Sequence, residues 1–419
     1  AEVYIHGLIR DQDGQKMSKS KGNVLDPLDL VDGIDLESLV EKRTTGMMQP
    51  HLAKRIEKST RQHFPEGIPA FGTDAIRFTF AAIATTGRDL RFDLGRAEGY
   101  RNFCNKLWNA SRYVLMNTEE QDCGLDPGQG EMSFSLADQW IRSRLGKTIE
   151  GVLADFENYR LDLVAKTLYE FTWNEFCDWY LELSKPILQS EESSEAEKRG
   201  TRRTLVEVLE CLLRLLHPIM PFITEEIWQR VAPLAGVKGP TIMLQPYPDR
   251  DAYPVDAQSE KELNWVRGFV LGIRQIRGEM NISPGRALPV VLQEVSATDS
   301  EWLGKHKPLL ERLARLESVT VPGDDVSPPP AATALLGEMR ILVPMAGLID
   351  VAAEIARLTR QRDKLKSELD RCTKKLANEN FVNNAPEAVV EKERARIEEF
   401  TKSMRQLDEQ LQVMEALES

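Results

Sequence analysis

The sequence contains, at residues 16–23, the stretch Lys16-Met17-Ser18-Lys19-Ser20-Lys21-Gly22-Asn23. A β-prone run at 3–9 and a polar turn at 11–14 come before it, so a predicted strand leads through a glycine-containing turn into lysines and small hydroxyl residues. Loops of this composition bind phosphates, because backbone N–H groups and ammonium groups can both point at the oxygens. The stretch therefore predicts a phosphate-binding loop, although two lysines three residues apart more often mark an ordinary surface loop.

Length and composition place the chain among soluble proteins of several domains. Its 419 residues predict two to four domains, and 42% of them are hydrophobic and 29% charged. Neither a transmembrane run nor a signal peptide is recognisable, so we expect a cytoplasmic protein. Because the chain opens on Ala1 and almost at once on a predicted strand, it reads as the end portion of a longer polypeptide.

The cysteines give no sign of a metal site or a disulfide framework. There are five of them, far apart and without a Cys-x-x-Cys pair: Cys104, Cys123, Cys177, Cys211 and Cys372. Zinc sites and disulfide scaffolds need closer or paired spacings, so no metal ligands are predicted.

The charge pattern is more informative than the total. A net charge of −12 argues against a general polyanion binder, but phosphate contacts depend on local patches. One basic patch lies at 54–61, with Lys54, Arg55, Lys58 and Arg61. A second holds eight basic residues: Arg357, Arg360, Arg362, Lys364, Lys366, Arg371, Lys374 and Lys375. Each patch is either a nucleic-acid contact or simply a solvated helix face.

The first part of the chain is predicted to be mixed α and β. A short helix should follow Asp26, with Pro27 at its first position, and 36–62 should be helical with a break between Gly46 and Pro50. Another helix should open at 72–78, capped by Thr73 or Asp74.

Residues 96–233 are predicted to be almost entirely helical. Apolar periodicity indicates helices at 102–117, 136–156, 160–184, 199–216 and 222–232, with a loop at 123–130 and a polar linker at 190–196. The apolar positions of these helices include four tryptophans that should pack in the core rather than stack on bases: Trp140, Trp173, Trp179 and Trp228.

The last third is predicted to be a small α+β domain followed by a helical hairpin. A helix at 257–280, strands at 288–292 and 341–343 and a helix near 300–316 make up the former. From 350 onward apolar residues recur at heptad spacing, interrupted by an Asn- and Pro-containing break at 377–386. The break favours an antiparallel coiled-coil hairpin over a dimerisation coiled coil.

Several stretches resemble a known family. Lys16 to Ser20 matches all five letters of the second signature motif of the class I aminoacyl-tRNA synthetases. The run from 23 to 50 resembles the valine-specific members in particular, 101–110 resembles the first helix of their anticodon-binding bundle, and 376–387 resembles their coiled-coil arm. The chain thus resembles the C-terminal portion of a bacterial valyl-tRNA synthetase along essentially its whole length.

The resemblance implies a mainly α, multidomain fold in four segments. They are the end of a Rossmann-type α/β catalytic domain with the lysine loop and a stem-contact region (1–95), a helical anticodon-binding domain (96–255), a small α+β domain (256–349) and an antiparallel coiled-coil arm that binds tRNA (350–419).

The resemblance also implies a valine–tRNA ligase reaction. In the family, the valine carboxylate attacks the α-phosphate of ATP, which gives valyl-adenylate and pyrophosphate, and a terminal ribose hydroxyl of the tRNA then takes the valyl group. Lys19 would be the main catalytic cation and Lys16 the second, with Gly14 and Gly22 allowing the loop to close and Mg²⁺ accompanying the ATP. The ATP phosphates would be held by Lys16, Met17, Ser18, Lys19 and Ser20.

On the arm, the resemblance implies a contact with the outer corner of a valine tRNA. Arg362 falls in the seam between the two helices, which leaves as implied tRNA-binding residues Arg357, Arg360, Lys364, Lys366, Arg371, Lys374 and Lys375. We expect a monomer that uses valine and ATP in its full-length parent and does not bind a membrane.

One departure from the family pattern limits this interpretation. The first signature motif, His-Ile-Gly-His or a variant, is missing from the sequence, so the chain alone is predicted not to form valyl-adenylate. Two alternatives stay open: a non-catalytic tRNA-binding protein built from the same modules, and a ligase for isoleucine or leucine.

Overall fold

The computed structural model describes the chain apart from residues 1–2, 4–6, 12–13, 19–20, 48–49, 86–88, 323–330, 346–350, 378–386 and 419. Helices account for 67% of the structure, which confirms the mainly α fold. The chain divides into two compact units, 1–263 and 264–419, and each is described by itself below.

The first unit contains ten helices and one pair of short strands within the described residues. The helices are α1 (Pro27–Asp32), α2 (Leu36–Thr44), α3 (Ala53–His63), α4 (Thr73–Ile83), α5 (Leu94–Thr118), α6 (Leu136–Glu157), α7 (Leu161–Glu170), α8 (Leu181–Gln189), α9 (Glu195–Leu216) and α10 (Pro221–Ala235). A π-helical segment, Phe171–Tyr180, joins α7 to α8. The predicted helices of this region are confirmed, but two of them begin early. The helix α5 begins eight residues before the predicted start, with Asp93 as its N-cap, and α9 begins four residues early because Ser194 and Glu197 form a capping box.

The strands β1 (Ile9–Arg10) and β2 (Leu90–Arg91) pair in parallel, so the helices α1 to α4 form the crossover between them. The strand predicted at 3–9 is shorter than expected: within that run only Ile9 belongs to β1, and 4–6 lie outside the described residues. Apolar side chains from the crossover and the strands share one core, with Leu30, Phe71 and Phe92 among its buried members. The Rossmann-type description of this part stays a prediction.

The caps of α1 and α4 differ in how well the sequence predicts them. Asp26 caps α1 by accepting from the Leu28 N–H, and Pro27 is the first helical residue, as predicted. At α4 the prediction was wrong: Gly72 is the N-cap, with φ +84°, and no side chain caps the helix. Asp74 instead accepts from the backbone N–H groups of Phe222 and Ile223, at 3.3 and 2.6 Å, and so caps α10.

The tryptophans of the bundle are mainly core residues. Trp140, Trp179 and Trp228 are buried, which confirms their predicted packing role. Trp173 is only partly buried and stacks on Tyr169, with ring centroids 5.6 Å apart, while the Lys106 ammonium lies 4.9 Å from its ring centroid.

Close backbone approaches hold the bundle together at two glycines inside helices. A Cβ on Gly200 of α9 would lie 2.0 Å from the Ser133 carbonyl oxygen, and one on Gly146 of α6 would lie 2.1 Å from the Tyr253 carbonyl oxygen. Because the obstacle is backbone rather than a mobile side chain, any larger residue must push a chain segment away.

We expect Gly200→Ala to lower the free energy of unfolding by about 1–3 kcal/mol through overpacking. Gly99→Ala in α5 is the matched control, because a Cβ there meets no atom within 4 Å. Helix propensity alone should make that control more stable by up to about 1 kcal/mol. Denaturant unfolding of the two variants measures the difference, and equal stabilities would contradict the close packing.

The second unit contains a four-stranded sheet and four helices within the described residues. The strands are β3 (Leu288–Gln293), β4 (Leu316–Thr320), β5 (Ala331–Leu336) and β6 (Met339–Pro344), in the order β4-β3-β6-β5, with β3 and β4 parallel and the other pairs antiparallel. The helices are α11 (Ala257–Glu279), which begins in the first unit, α12 (Ala297–Ala314), α13 (Val351–Ala377) and α14 (Glu387–Glu418). The strands β4 and β5 were missed by the sequence analysis. Residues 327–330, where a serine and three prolines predict a loop, lie outside the described residues.

The helices α13 and α14 form the predicted antiparallel hairpin. Ion pairs join the ends that an antiparallel arrangement brings together: Lys375 to Glu393 at 3.2 Å and Arg362 to Asp408 at 4.0 Å. The 27 residues of α13 span about 40 Å at a rise of 1.5 Å each. The buried residues Leu358, Cys372, Val390 and Leu411 fall on the predicted heptad seam, whereas the coiled-coil geometry itself stays a prediction.

Candidate phosphate loop and RNA-binding faces

The predicted phosphate loop begins with a tight turn between β1 and Lys16. The Asp11 N–H donates to the Gln15 carbonyl at 3.0 Å, the Gly14 N–H donates to the Asp11 carbonyl at 2.9 Å, and Arg10 and Lys16 form an isolated antiparallel bridge. Gly14 has φ +74°, a left-handed conformation that favours glycine. The turn thus fixes the backbone position of Lys16 beside the end of β1.

The loop returns to this turn at Asn23. The Asn23 amide donates to the Asp11 carboxylate at 2.8 Å and to the Lys16 carbonyl at 3.2 Å, and its Oδ1 accepts from the Ser18 N–H at 2.9 Å. One residue before it, Gly22 is buried with φ +63°, and a Cβ there would lie 2.6 Å from the Cδ1 of Ile56 on α3. The positive φ and this close approach both require glycine at position 22, while the predicted hinge role of Gly14 and Gly22 stays a prediction.

The described residues of the loop expose cations and bury apolar groups. Lys16 and Lys21 are exposed, whereas Met17 is partly buried against the core of the crossover. Lys19 and Ser20 lie outside the described residues. Two exposed ammonium groups on an anchored loop suit the phosphates of ATP, so the described part of the loop fits the nucleotide.

A cavity of about 90 Å³ lies next to the loop and is lined by residues of the loop and of α2 and α3. The Arg43 guanidinium reaches it, 4.8 Å from the centroid of the Phe64 ring, and its Nη1 donates to the Thr60 hydroxyl at 3.3 Å. Burial lowers the pKa of Arg43, and its Nε has no hydrogen-bond partner among the described residues. The sequence analysis did not single out Arg43, which lies within the run 23–50, since a single arginine on a helix carries no local sign of burial.

The basic patch at 54–61 forms one exposed face of α3. Lys54, Arg55 and Lys58 are exposed and make no ion pair with any residue that the structure describes. Arg61 belongs to the fold instead: it pairs with Glu37 and Glu57, and these carboxylates raise its pKa. Three of the four predicted cations are therefore available to an anionic partner.

A second exposed face lies on α5 and was not recognised from the sequence. At about 100° per residue its members share an arc of roughly 120° and extend over about 21 Å. We call it the asparagine face; it consists of Asn102, Asn105, Trp108, Asn109, Arg112 and Met116. It holds no carboxylate in a protein of net charge −12, and Trp108 and Met116 are 43% and 78% exposed. The signal in the sequence was the period of the buried residues of α5, which fixes which residues remain outside.

The third exposed face lies on α13, opposite its buried seam. Four of the predicted tRNA-binding residues share an arc of roughly 80° over about 21 Å, and we call them the basic stripe: Arg360, Lys364, Arg371 and Lys374. Arg371 pairs with Glu368 at 3.2 Å, whereas Arg360, Lys364 and Lys374 make no ion pair within the described ranges.

The remaining predicted arm residues lie elsewhere. Lys375 flanks the stripe and pairs with Glu393, and Lys366 points to a different side of α13. The side chain of Arg357 is outside the described residues. Arg362 lies in the seam, as predicted, and there it pairs with Asp408.

Two features are absent from the described residues. In these ranges, His, Cys, Asp and Glu side chains nowhere gather in the groups of three or more that hold a metal ion. Among the described helices, none offers the continuous apolar length that a membrane crossing demands.

Three family models match the chain, each over a different part. Residues 1–93 match the class I tRNA synthetases for isoleucine, leucine, methionine and valine. Residues 138–292 match the anticodon-binding domain of tRNA ligases, and residues 350–415 match the tRNA-binding arm of valyl-tRNA synthetase.

Among solved structures, the chain is similar to a leucyl-tRNA synthetase of Agrobacterium radiobacter in a ternary complex with tRNA and LeuAMS. The two are 22% identical with a TM-score of 0.37, and the match covers 61% of this chain and 25% of the other. The chain therefore spans about a quarter of the length of that synthetase. The three family models, taken with the loop geometry, lead to one conclusion: the chain resembles the C-terminal portion of a class I aminoacyl-tRNA synthetase, and of a valyl-tRNA synthetase in particular.

Proposed function

We propose that the chain is part of a valine–tRNA ligase, to which it contributes the lysine loop and the tRNA-binding surfaces. The observation that carries the choice of valine is the match of residues 350–415 to the valyl-tRNA synthetase arm. The basic stripe on α13 supports the proposed binding of tRNA by that arm, because the stripe gives the arm a surface suited to phosphates. The four segments 1–95, 96–255, 256–349 and 350–419 are proposed as its catalytic end, anticodon-binding domain, small α+β domain and arm.

In the first step, a valine carboxylate oxygen forms a bond to the α-phosphorus of ATP, and the bond from that phosphorus to the pyrophosphate oxygen breaks. Negative charge then grows on the departing pyrophosphate, where the ammonium groups of Lys19 and Lys16 stabilise it most in the transition state. Mg²⁺ would accompany the ATP as part of the substrate and would help to neutralise the charge of its phosphates, and no residue of this chain is assigned to hold it. In the second step, a terminal ribose hydroxyl of the tRNA attacks the valyl carbonyl carbon, and AMP leaves.

In this proposal the three exposed faces contact different chemical groups of the tRNA. The stripe on α13 and the exposed cations of α3 contact phosphates, which gives affinity without sequence selection. The asparagine face carries amides, an arginine and an exposed indole, which are the groups that hydrogen-bond to bases and stack on them. We therefore assign anticodon-loop binding to this face and backbone binding to the two basic faces.

Aminoacylation by the full-length protein that contains this chain tests the proposal, with valine, isoleucine and leucine in parallel. We expect charging with valine, catalysed by a cytoplasmic monomer, and no adenylate formation by the 419-residue chain alone. Charging with isoleucine or leucine in place of valine would overturn the assigned amino acid. Tight tRNA binding without charging by any of the three would identify a non-catalytic RNA-binding protein.

We expect Trp108→Ala to weaken tRNA binding by about 5- to 150-fold, the equivalent of roughly 1–3 kcal/mol for one stacked base. Trp108→Phe is the matched variant, because a phenyl ring keeps an aromatic face and should recover most of the affinity. Fluorescence anisotropy with labelled tRNA measures binding, and nuclease footprinting should show loss of protection in the anticodon loop. Unchanged affinity for Trp108→Ala, or protection confined to the acceptor end, would contradict the assignment.

A further inference from the structure

Asn23 commits its whole side chain to the lysine loop. Its Nδ2 donates to Lys16 and Asp11, at 3.2 and 2.8 Å, and its Oδ1 accepts from the Ser18 N–H at 2.9 Å. The side chain is partly buried, so these bonds are formed with reduced competition from water. Its three partners are the carbonyl before Met17, the N–H after it and the carboxylate of the entry turn.

These bonds fasten the two ends of the loop to each other. Asp11 holds the entry turn at the same time, because its Oδ1 accepts from the Gln15 N–H at 2.7 Å. On the exit side, Gly22 lies against Ile56 of α3, and the Lys21 N–H donates to the Ser18 carbonyl at 3.1 Å. We call the hydrogen-bonded side chains of Asp11 and Asn23 the bracket. The exposed cations Lys16 and Lys21 lie on either side of it along the loop.

The hydrogen-bond donors and acceptors of the two side chains explain why an asparagine faces the Asp11 carboxylate. A carboxylate accepts hydrogen bonds only, so its partner at position 23 must donate, and the same partner must accept from the Ser18 N–H. An amide does both, whereas an aspartate at position 23 would turn a carboxylate toward the Asp11 carboxylate and the Lys16 carbonyl. The Asp11 carboxylate, which would repel a phosphate if it were free, is occupied with donors on its own loop.

We infer that Asn23 is a positioning residue for adenylate formation, and that the Asp11–Asn23 bracket sets the conformation from which the lysines meet the phosphates. This inference rests on the proposed function for its chemistry and on the described hydrogen bonds for its geometry. Catalytic groups must be held within about half an ångström of their working positions, and a displacement of about 1 Å can cost on the order of 10²-fold in rate. Loss of the bracket should therefore slow the chemical step without changing the valine site.

The test uses the full-length enzyme and valine-dependent pyrophosphate exchange. We expect Asn23→Ala and Asn23→Asp to lower the exchange rate constant by about 10- to 100-fold. The KM for valine, and the transfer of valyl from pre-formed adenylate to tRNA, should stay within twofold of wild type by the same reasoning. The double variant Asp11→Asn/Asn23→Asp restores one donor–acceptor pair in the reverse direction, so it should be at least about fivefold faster than Asn23→Asp alone.

A control and a second measurement separate positioning from general damage. Asn117→Ala removes an asparagine of α5 whose hydrogen bond within the described residues goes to the Tyr113 carbonyl of its own helix, and it should leave exchange unchanged. Cleavage by a lysine-specific protease reports the loop directly: Asn23→Ala should be cut within 16–21 several times faster than wild type, at an unchanged melting temperature.

The possible failures are distinguishable. A wild-type enzyme without valine-dependent exchange would contradict the proposed function, and the protease measurement would still decide on the bracket. Asn23→Ala with wild-type exchange and wild-type cleavage would overturn the bracket. A double variant no faster than Asn23→Asp would show that the two side chains do not act as a pair.

Discussion

We expect replacement of Lys19 by alanine to lower the rate of the proposed valyl-adenylate formation by about 10²–10³-fold, or roughly 2.7–4 kcal/mol of transition-state stabilisation. The reason is that charge on the departing pyrophosphate grows toward the transition state, so an ammonium group placed beside it helps that state more than bound ATP. Lys19 itself lies outside the described residues. The anchored segments on both sides of it, 16–18 and 21–23, support the expectation that the loop presents it at a defined place.

Pyrophosphate exchange by the full-length enzyme measures this effect. The KM for valine should change little, because Lys19 is assigned to the phosphates and not to the amino acid. Lys185→Ala provides the control, since this lysine of α8 pairs with Glu182 on the bundle and takes no part in the proposed site. An exchange rate for Lys19→Ala within twofold of wild type would refute the catalytic assignment.

Local signals in the sequence were sufficient where the structure depends on local interactions. Asp26 and Pro27 start α1 as predicted, because a cap and a first-turn proline act within one turn. The hairpin of α13 and α14 follows from a heptad pattern and a helix-breaking segment, and both are visible in a single sequence. The predicted phosphate loop likewise rests on a local signal, the eight consecutive residues 16–23.

The sequence was insufficient where distant segments decide the outcome. Strand β5 reads Ala331-Ala332-Thr333-Ala334-Leu335-Leu336, a composition that favours helix, and it is extended because it pairs with β6 along its whole length. Asp74 has the position of a cap for its own helix, yet its partners are the N–H groups of Phe222 and Ile223. Neither contact leaves a trace in the residues nearby.

The candidate site shows the same division. The lysines of the loop stand out in the sequence by their charge, whereas the role of the bracket residue Asn23 does not, since it depends on contacts with Asp11, Lys16 and Ser18. The asparagine face of α5 was missed because a tryptophan carries no local sign of its exposure: Trp140, Trp179 and Trp228 are buried, whereas Trp108 is exposed. Exposure of Trp108 becomes visible only once the buried side of α5 is known.

The overall negative charge is compatible with RNA binding because many carboxylates are occupied within the fold. Glu210 is buried and accepts from the Trp228 indole, and Glu260 is buried against Lys147 and Ser143. Glu37 binds Arg61 through both of its carboxylate oxygens. The exposed faces of α3 and α13 with cations unpaired within the described residues are therefore locally positive, although the net charge of the chain is negative. A polyanion that binds there contacts the local positive charge.

The basic stripe on α13 leads to the second large effect. We expect replacement of Arg360, Lys364, Arg371 and Lys374 by alanine to weaken tRNA binding and to flatten its dependence on salt. Each phosphate contact adds about 0.7–0.9 to the slope of log K against log salt, so four contacts should reduce the slope by roughly three units. At moderate salt such a loss corresponds to an affinity lower by about 10²-fold or more. Deletion of 350–419 should have at least the same effect.

A control with the same change in net charge separates a contact surface from general electrostatics. Alanine at Lys305, Lys307, Arg312 and Arg340 removes four cations from α12 and β6, and tRNA affinity should then stay within about twofold. Valine activation should be intact in both variants, because neither alters the lysine loop. If the stripe variant keeps the wild-type affinity and salt slope, its charges are the solvated surface of a helical hairpin. If both variants lose affinity equally, tRNA responds to the net charge of the protein and not to a stripe on α13.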